Sequence, residues 1–284
     1  MVTAAAAPVS PALAAARRVV RDRAAAASLV FIIVLAVAAW GVAPLLPYDP
    51  NAPDYSAVYQ PPSRAHPFGT DALGRDMLAR VLAGARISLQ IALVAGIINL
   101  FAGVAVGALA GYAGGRVDDI LMRVVELLYG IPTILLVILL MVWLEQGIAN
   151  IYLAIGLTYW LNMARLVRGE ILSLKQRDFV LAARALGAGP GRIVARHLLP
   201  NCAGVILVTV TLFIPEAIFA EAFLSYIGLG VPAPDASWGS LAAEGAGNLR
   251  AAPYLLFFPA AAICLTMLAF NIVGDTLRDA VTVG

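Results

Sequence analysis

The 284-residue chain is 62% hydrophobic and only 13% charged, with a mean hydropathy of +0.90, whereas soluble domains carry roughly a quarter charged residues. An ordinary soluble protein is excluded and an integral membrane protein is indicated. A net charge of +2, scattered along the chain, gives no nucleic-acid surface.

Residues 1–16 are rich in Ala and Pro without period and read as a disordered tail, followed by Arg17, Arg18, Arg21 and Arg23. The apolar run 24–46 is long enough to cross a bilayer, and the arginines before it hold residues 1–23 on the cytoplasmic side. A cleaved secretory signal is the competing reading of this start, with small residues near 36–39.

Residues 47–85 shift to Pro, Asp, Asn and Tyr and are expected as an extracytoplasmic loop. Within it Asp71 is a candidate N-cap, and Leu73, Met77, Val81 and Leu82 fall at helical spacing. This predicts an amphipathic helix lying in the interface, with a plain amphipathic linker as the alternative. The second span is expected over 87–110. Its Gly103, Gly107 and Gly111, four residues apart, form a small-residue stripe for close helix packing. The polar turn 111–118 follows on the cytoplasmic side.

A third span over 120–144 carries Arg123 and Glu126 near the inner interface and a kink at Pro132. Residues 146–150 make an outer turn, and a fourth span, 151–168, ends in Arg165 and Arg168.

The basic loop 175–201 comes next, with Arg177, Arg184, Arg192 and Arg196. Asp178 is a candidate N-cap for a short helix from Phe179 to Leu186, Gly187 its stop, and Gly189-Pro190 the start of a second short helix. Phe179, Ala182, Ala183 and Leu186 share one apolar, small-residue face of the first helix. Helices this short are marginal alone and need something to dock against. The plain alternative is an ordinary basic loop between two spans.

A fifth span, 203–227, holds Pro215, Glu216 and Glu221, and carboxylates inside a span face either a water-filled cavity or a partner. An outer loop over 231–253 contains Pro232, Pro234 and Trp238, and a sixth span, 254–273, leads to a cytoplasmic tail from 277. Residues 86–276 thus make a five-span core unit. Six spans put both termini inside, leaving only Arg64, Arg75, Arg80, Arg86 and Arg250 of the 19 basic residues outside. That bias agrees with the orientation.

No Gly-rich loop ends in Gly-Lys-Ser/Thr, since the one lysine is Lys175 in LSLKQR, so any ATPase is another polypeptide. Cys202 and Cys264 imply no disulfide framework. His66 and His197 have no Cys or His neighbour at ligand spacing, and no metal site is expected.

At Leu181-Ala182-Ala183, Gly187, Ile193 and Leu199-Pro200 the basic loop resembles the shared cytoplasmic loop of permease subunits of binding-protein-dependent ABC importers, with Leu181 where that loop often has glutamate. Phe68-Gly69-Thr70-Asp71, Leu73-Gly74-Arg75-Asp76, Gly84-Ala85-Arg86, Ser237-Trp238-Gly239, and Asn271, Gly274, Asp275, Leu277, Arg278 and Asp279 resemble the peptide and nickel subgroup, in particular its C-type subunit.

The resemblance implies an all-α membrane protein of the type I importer permease fold, with a coupling helix pair between spans four and five. Phe179, Ala182, Ala183, Arg184, Leu186, Gly187, Ile193, Leu199 and Pro200 would then dock on an ATPase subunit. Glu126, Glu216 and Glu221 are candidates for the translocation path. Implied partners are a second permease subunit, two ATPase subunits holding ATP and Mg, an extracytoplasmic binding protein and membrane lipid, with no cofactor on this chain. Peptides are the expected cargo, with nickel and opines carried by relatives. A secondary transporter or channel independent of ATP is the alternative; no internal repeat supports it.

Overall fold

The computed structural model describes residues 18–282, so the expected disordered tail at 1–16 lies outside the described residues. All the regular elements are helical. Helix α1 (Arg23–Val37) starts at Asp22, whose carboxylate accepts from the amides of Ala24 and Ala25, and runs on through a π turn (Ala38–Val42) and a 3-10 turn (Ala43–Leu45). One edge of this first apolar run packs on the molecule, with Ala25 beside Val208, Val273 and Leu277, and much of the rest of it is exposed.

The second helix, α2 (Met77–Ala113), is one rod of 37 residues. At 1.5 Å per residue it is about 55 Å long, well beyond the roughly 30 Å of hydrocarbon, so it is longer than a span needs. The interfacial helix expected before residue 86 is therefore not a separate element. No proline or left-handed glycine interrupts 77–87, and the amphipathic stretch continues straight into the span. Asp76, not Asp71, is the N-cap, accepting from Ala79 N at 2.8 Å.

Residues 47–76 fold into a cap over this outer end rather than a free loop. Asp71 accepts from the amides of Leu73 and Arg75 and ion-pairs with Arg75 Nε at 2.6 Å. Asp76 Oδ2 holds His66 Nδ1 at 2.9 Å. Arg80, 1% exposed, lies between Asp71 and Glu244, 3.4 Å from each.

Left-handed Gly114 (φ +67°) turns the chain into α3 (Gly115–Tyr129). Then comes α4 (Thr133–Leu144), at 89° to α3. The expected third span is broken, not kinked. Pro132 has no N–H to bond the preceding turn, the residue before a proline disfavours helical geometry, and a glycine adjoins them, so Gly130-Ile131-Pro132 becomes a corner.

Helix α5 (Ile148–Leu174) packs along α2 at the glycine stripe. A Cβ on Gly103 would sit 2.5 Å from Met163 Cβ, and one on Gly107 2.5 Å from the Ala164 carbonyl. The stripe does what its spacing predicts: it lets two backbones touch.

Short helix α6 (Asp178–Ala185) precedes α7 (Pro190–Ile193), which passes through a π turn (Val194–Leu198) into α8 (Leu199–Tyr226). The second helix of the expected pair is thus the first part of one 37-residue path from Pro190 to Tyr226 and not a separate helix. Pro200 follows the π turn closely, as the second residue of α8. Within the outer loop expected over 231–253 lies a helix, α9 (Trp238–Gly247), started by a capping box between Ser237 and Ser240. Finally α10 (Tyr254–Thr282) takes in the described part of the expected C-terminal tail, residues 277–282.

Four helical paths are long and apolar enough to cross a membrane, or five if α3 and α4 form one bent span. The 27-residue α5 is not among them; Asn150, Asn162, Arg165 and Arg168 lower its hydropathy.

Candidate functional site

Two features bear on function: a knuckle at α6–α7 and a groove between α2, α5 and α8. In the knuckle, Leu186, Gly187 and Ala188 amides close back on the carbonyls of Ala182, Arg184 and Ala183, each at 3.0 Å, and Gly187 takes φ +80°. This is the left-handed stop expected from the sequence. Gly189 is extended and Pro190 opens α7, also as expected. Asp178 is the first helical residue; Arg177 occupies the cap position and makes no side-chain cap bond.

The knuckle is held from beneath by a cluster of Val180, Ile193, Leu198 and Cys202 with Met163, Val167 and Ile171. Of the residues singled out in the sequence, Ile193 turns into this packing, Leu199 lies at its edge, and Ala183 is buried. Phe179, Ala182, Arg184, Gly187 and Pro200 are exposed, and Leu186 is 88% exposed. Leu181, where a glutamate was expected, adds a further exposed apolar side chain. Sequence reasoning missed the anchor Val180. It lies one position off the apolar face, and only the cluster beneath reveals it.

The groove has a volume of about 290 Å³ and is lined by Asn99 of α2, Tyr159 and Asn162 of α5, and the stripe Val205, Val208, Leu212 and Glu216 of α8. Glu216 faces it. A second cavity, about 410 Å³, shares Asn162 and Leu166 with the first and holds Glu126, Tyr129 and Arg165. Arg165 lies over the Tyr129 ring, 4.6 Å from its centroid. Asp118 grips Arg168 in a two-pronged pair, 2.5 and 2.7 Å, and so fixes the start of α3 against α5.

Glu221 is in neither cavity. It is fully buried, accepts from Ser225 Oγ (2.7 Å) and Ser237 Oγ at Oε1, and from Ser88 Oγ (3.3 Å) at Oε2. The Ser88 hydroxyl in turn accepts from Trp238 N at 3.1 Å, while Trp238 Nε1 donates to the Val81 carbonyl. Glu221 therefore ties α2, α8 and α9 together through three serine hydroxyls, apart from both cavities.

The sequence of residues 103–282, from the glycine stripe through the knuckle and groove to α10, matches the family described as the binding-protein-dependent transport system inner membrane component. This chain belongs to that family. Residues 10–62 of the permease match the N-terminal membrane domain of oligopeptide transport permease C.

The permease is 49% identical to the oligopeptide transport system permease protein OppC of Bacillus subtilis over 253 residues, 89% of this chain and 82% of that one. It is 46% identical to the dipeptide transport system permease protein DppC of the same organism, over 93% and 83% of the two chains. Against OppC of Escherichia coli K12 the identity is 42%, over 94% and 89%. Among solved structures, an inward-facing MetNI methionine ABC transporter superposes with a TM-score of 0.58 at 19% identity, over 72% of this chain and 97% of that one, a likeness of fold alone. The permease is a multi-pass inner membrane protein, and the ABC importer fold expected from the sequence is the one observed. The count of six spans is not reached by length and hydropathy.

Proposed function

We propose that this permease forms half of the membrane pathway of an ATP-driven peptide importer, and that its α6–α7 knuckle transmits the strokes of a separate ATPase. The observation that carries the reading is the contrast within α6: Val180 is locked into the core and Ala183 is buried, while Phe179, Leu181 and Leu186 stand exposed on a capped, bent tip. A rigid apolar tip held from beneath is suited to fill a cleft, and it lies between α5 and α8, so force on it reaches both helices. Phe179, Ala182, Arg184, Leu186 and Gly187 would meet the ATPase, with Ala183, Ile193, Leu199 and Pro200 shaping the tip.

The assembly then comprises this chain, a second permease subunit, two ATPases that bind ATP and Mg, and an extracytoplasmic binding protein. Peptides are the cargo named for the relatives. In this arrangement α5 is a span despite its polar residues. With α3 and α4 counted as one bent span the total is six, both termini are cytoplasmic, and the cap over residues 47–76 faces the binding protein.

The experiment is crosslinking in membranes from a Cys264→Ala background. A cysteine at Leu186 is expected to crosslink to the ATPase subunit and to react with reagents only from the cytoplasmic side. Labelling from outside, or no ATPase adduct, would sink the proposal.

A further inference from the structure

A third cavity, an open cleft of about 390 Å³, lies beside the knuckle, walled by Tyr112 near the end of α2, Lys175 and Gln176 just after α5, and Leu181 and Arg184 of α6. Its lining is one-sided in kind. Lysine, arginine and a glutamine amide all donate, the tyrosine hydroxyl can donate too, and no wall residue is a carboxylate. Over residues 175–201, five basic side chains stand against one acid, Asp178.

The fold places the two cations and leaves their donors unmet. Lys175 Nζ donates to the Gly111 carbonyl at 2.9 Å, filling an acceptor that the last turn of α2 leaves open. That bond uses one ammonium proton and leaves two. Arg184, exposed on α6, has neither a side-chain hydrogen bond nor an ion pair among the described residues, and the same holds for Gln176 and Tyr112. The buried acid nearby, Asp118, is already gripped by Arg168.

Two cations, further free donors and no acid make this cleft complementary to a carboxylate. We propose that it receives an Asp or Glu side chain of the ATPase subunit, held between Lys175 and Arg184. The inference rests on the docking reading above and adds the chemistry of the partner and a second place of contact. The cleft and the exposed face of Phe179, Ala182 and Leu186 lie on different sides of α6, so a partner that occupies both grips the helix and can pull on it as well as push. A carboxylate on Lys175 also meets the side chain that holds the end of α2. Movement of the ATPase then reaches α2 directly, beside α5 and α8.

Lys175 is the only lysine of the chain, and this makes a zero-length carbodiimide the probe, since it joins a carboxylate to an amine in direct contact and leaves guanidinium groups alone. In the complete importer in proteoliposomes, the expected product is a permease–ATPase adduct whose amide bond maps to Lys175 and which is absent from Lys175→Arg. Arg184→Gln is expected to weaken ATPase association about fivefold at low salt, the loss of one exposed ion pair. At about 1 M salt, where the screening length is about 3 Å, the difference should vanish. An ATPase that stays associated while Lys175 forms no adduct, or only one to an acid of its own chain, would overturn the cleft, and so would an equal Arg184→Gln loss at both salt levels. Protection of Lys175 from an amine reagent by phosphatidylglycerol, as complete without the ATPase as with it, would assign the cleft to a lipid headgroup and overturn it likewise. A wild-type permease from which no ATPase can be recovered would instead overturn the docking reading beneath.

Discussion

At Gly187 the backbone is left-handed and a Cβ would meet nothing within 4 Å, so a side chain there encounters strain and no clash. Gly187→Val should cost about 1–2 kcal/mol and distort the tip alone. We expect the melting temperature of the purified chain to change little while the ATPase subunit no longer co-purifies; retention of the ATPase would remove the tip from the docking surface. Glu221 presents the opposite case, a residue whose role is internal. Glu221→Leu strips three serine hydroxyls of their acceptor and should destabilise the fold by about 3 kcal/mol, seen as a large drop in thermal stability in detergent. Glu221→Gln, which still accepts, should cost less. If both melted like the wild type, the serine network would be unimportant. Two glutamates five residues apart point about 140° from each other on a helix turning 100° per residue, which is why one opens on the groove and the other is enclosed.

At the scale of the element, the close approach of α2 and α5 depends on glycine. Gly107→Leu places a side chain where even a Cβ would lie 2.5 Å from a backbone carbonyl, and the helices must separate. A loss of at least about 3 kcal/mol is expected, read as failure to accumulate in the membrane. Normal accumulation would mean that the two helices are free to part. The corner between α3 and α4 is held from the other side by Asp118 and Arg168, a half-buried, two-pronged pair. Asp118→Asn should loosen α3 by about 1 kcal/mol, and the swap Asp118→Arg with Arg168→Asp should restore part of it in a double-mutant cycle. An additive cycle would show the pair to be idle.

At the scale of the whole molecule, two helical paths of 37 residues run through the protein, α2 from beneath its cap and α7–α8 from the knuckle. In the proposed importer, motion at the knuckle has a continuous route along α8 to Glu221 and α9. Crosslinking α8 to α2 through cysteines at Phe213 and Gly96, which face each other across the contact, should leave ATP binding by the partners intact and abolish import. Import by the crosslinked form would show that the two rods move as one.

What was legible in the sequence was local: apolar length, the glycine stripe, the stop at Gly187 and the start at Gly189-Pro190. Each of these is set by a few adjacent residues, through hydrocarbon thickness, the absence of a Cβ or the fixed φ of proline. The tertiary structure alone decided the rest. The outer segment fused with α2, the proline became a corner of 89°, and the helix starting at Trp238 was anchored to α2 by the bond from its indole to the Val81 carbonyl. Which carboxylate is enclosed by serines and which faces an open groove was settled by the neighbouring helices, because chain order fixes the angle between Glu216 and Glu221 and not what stands opposite each of them.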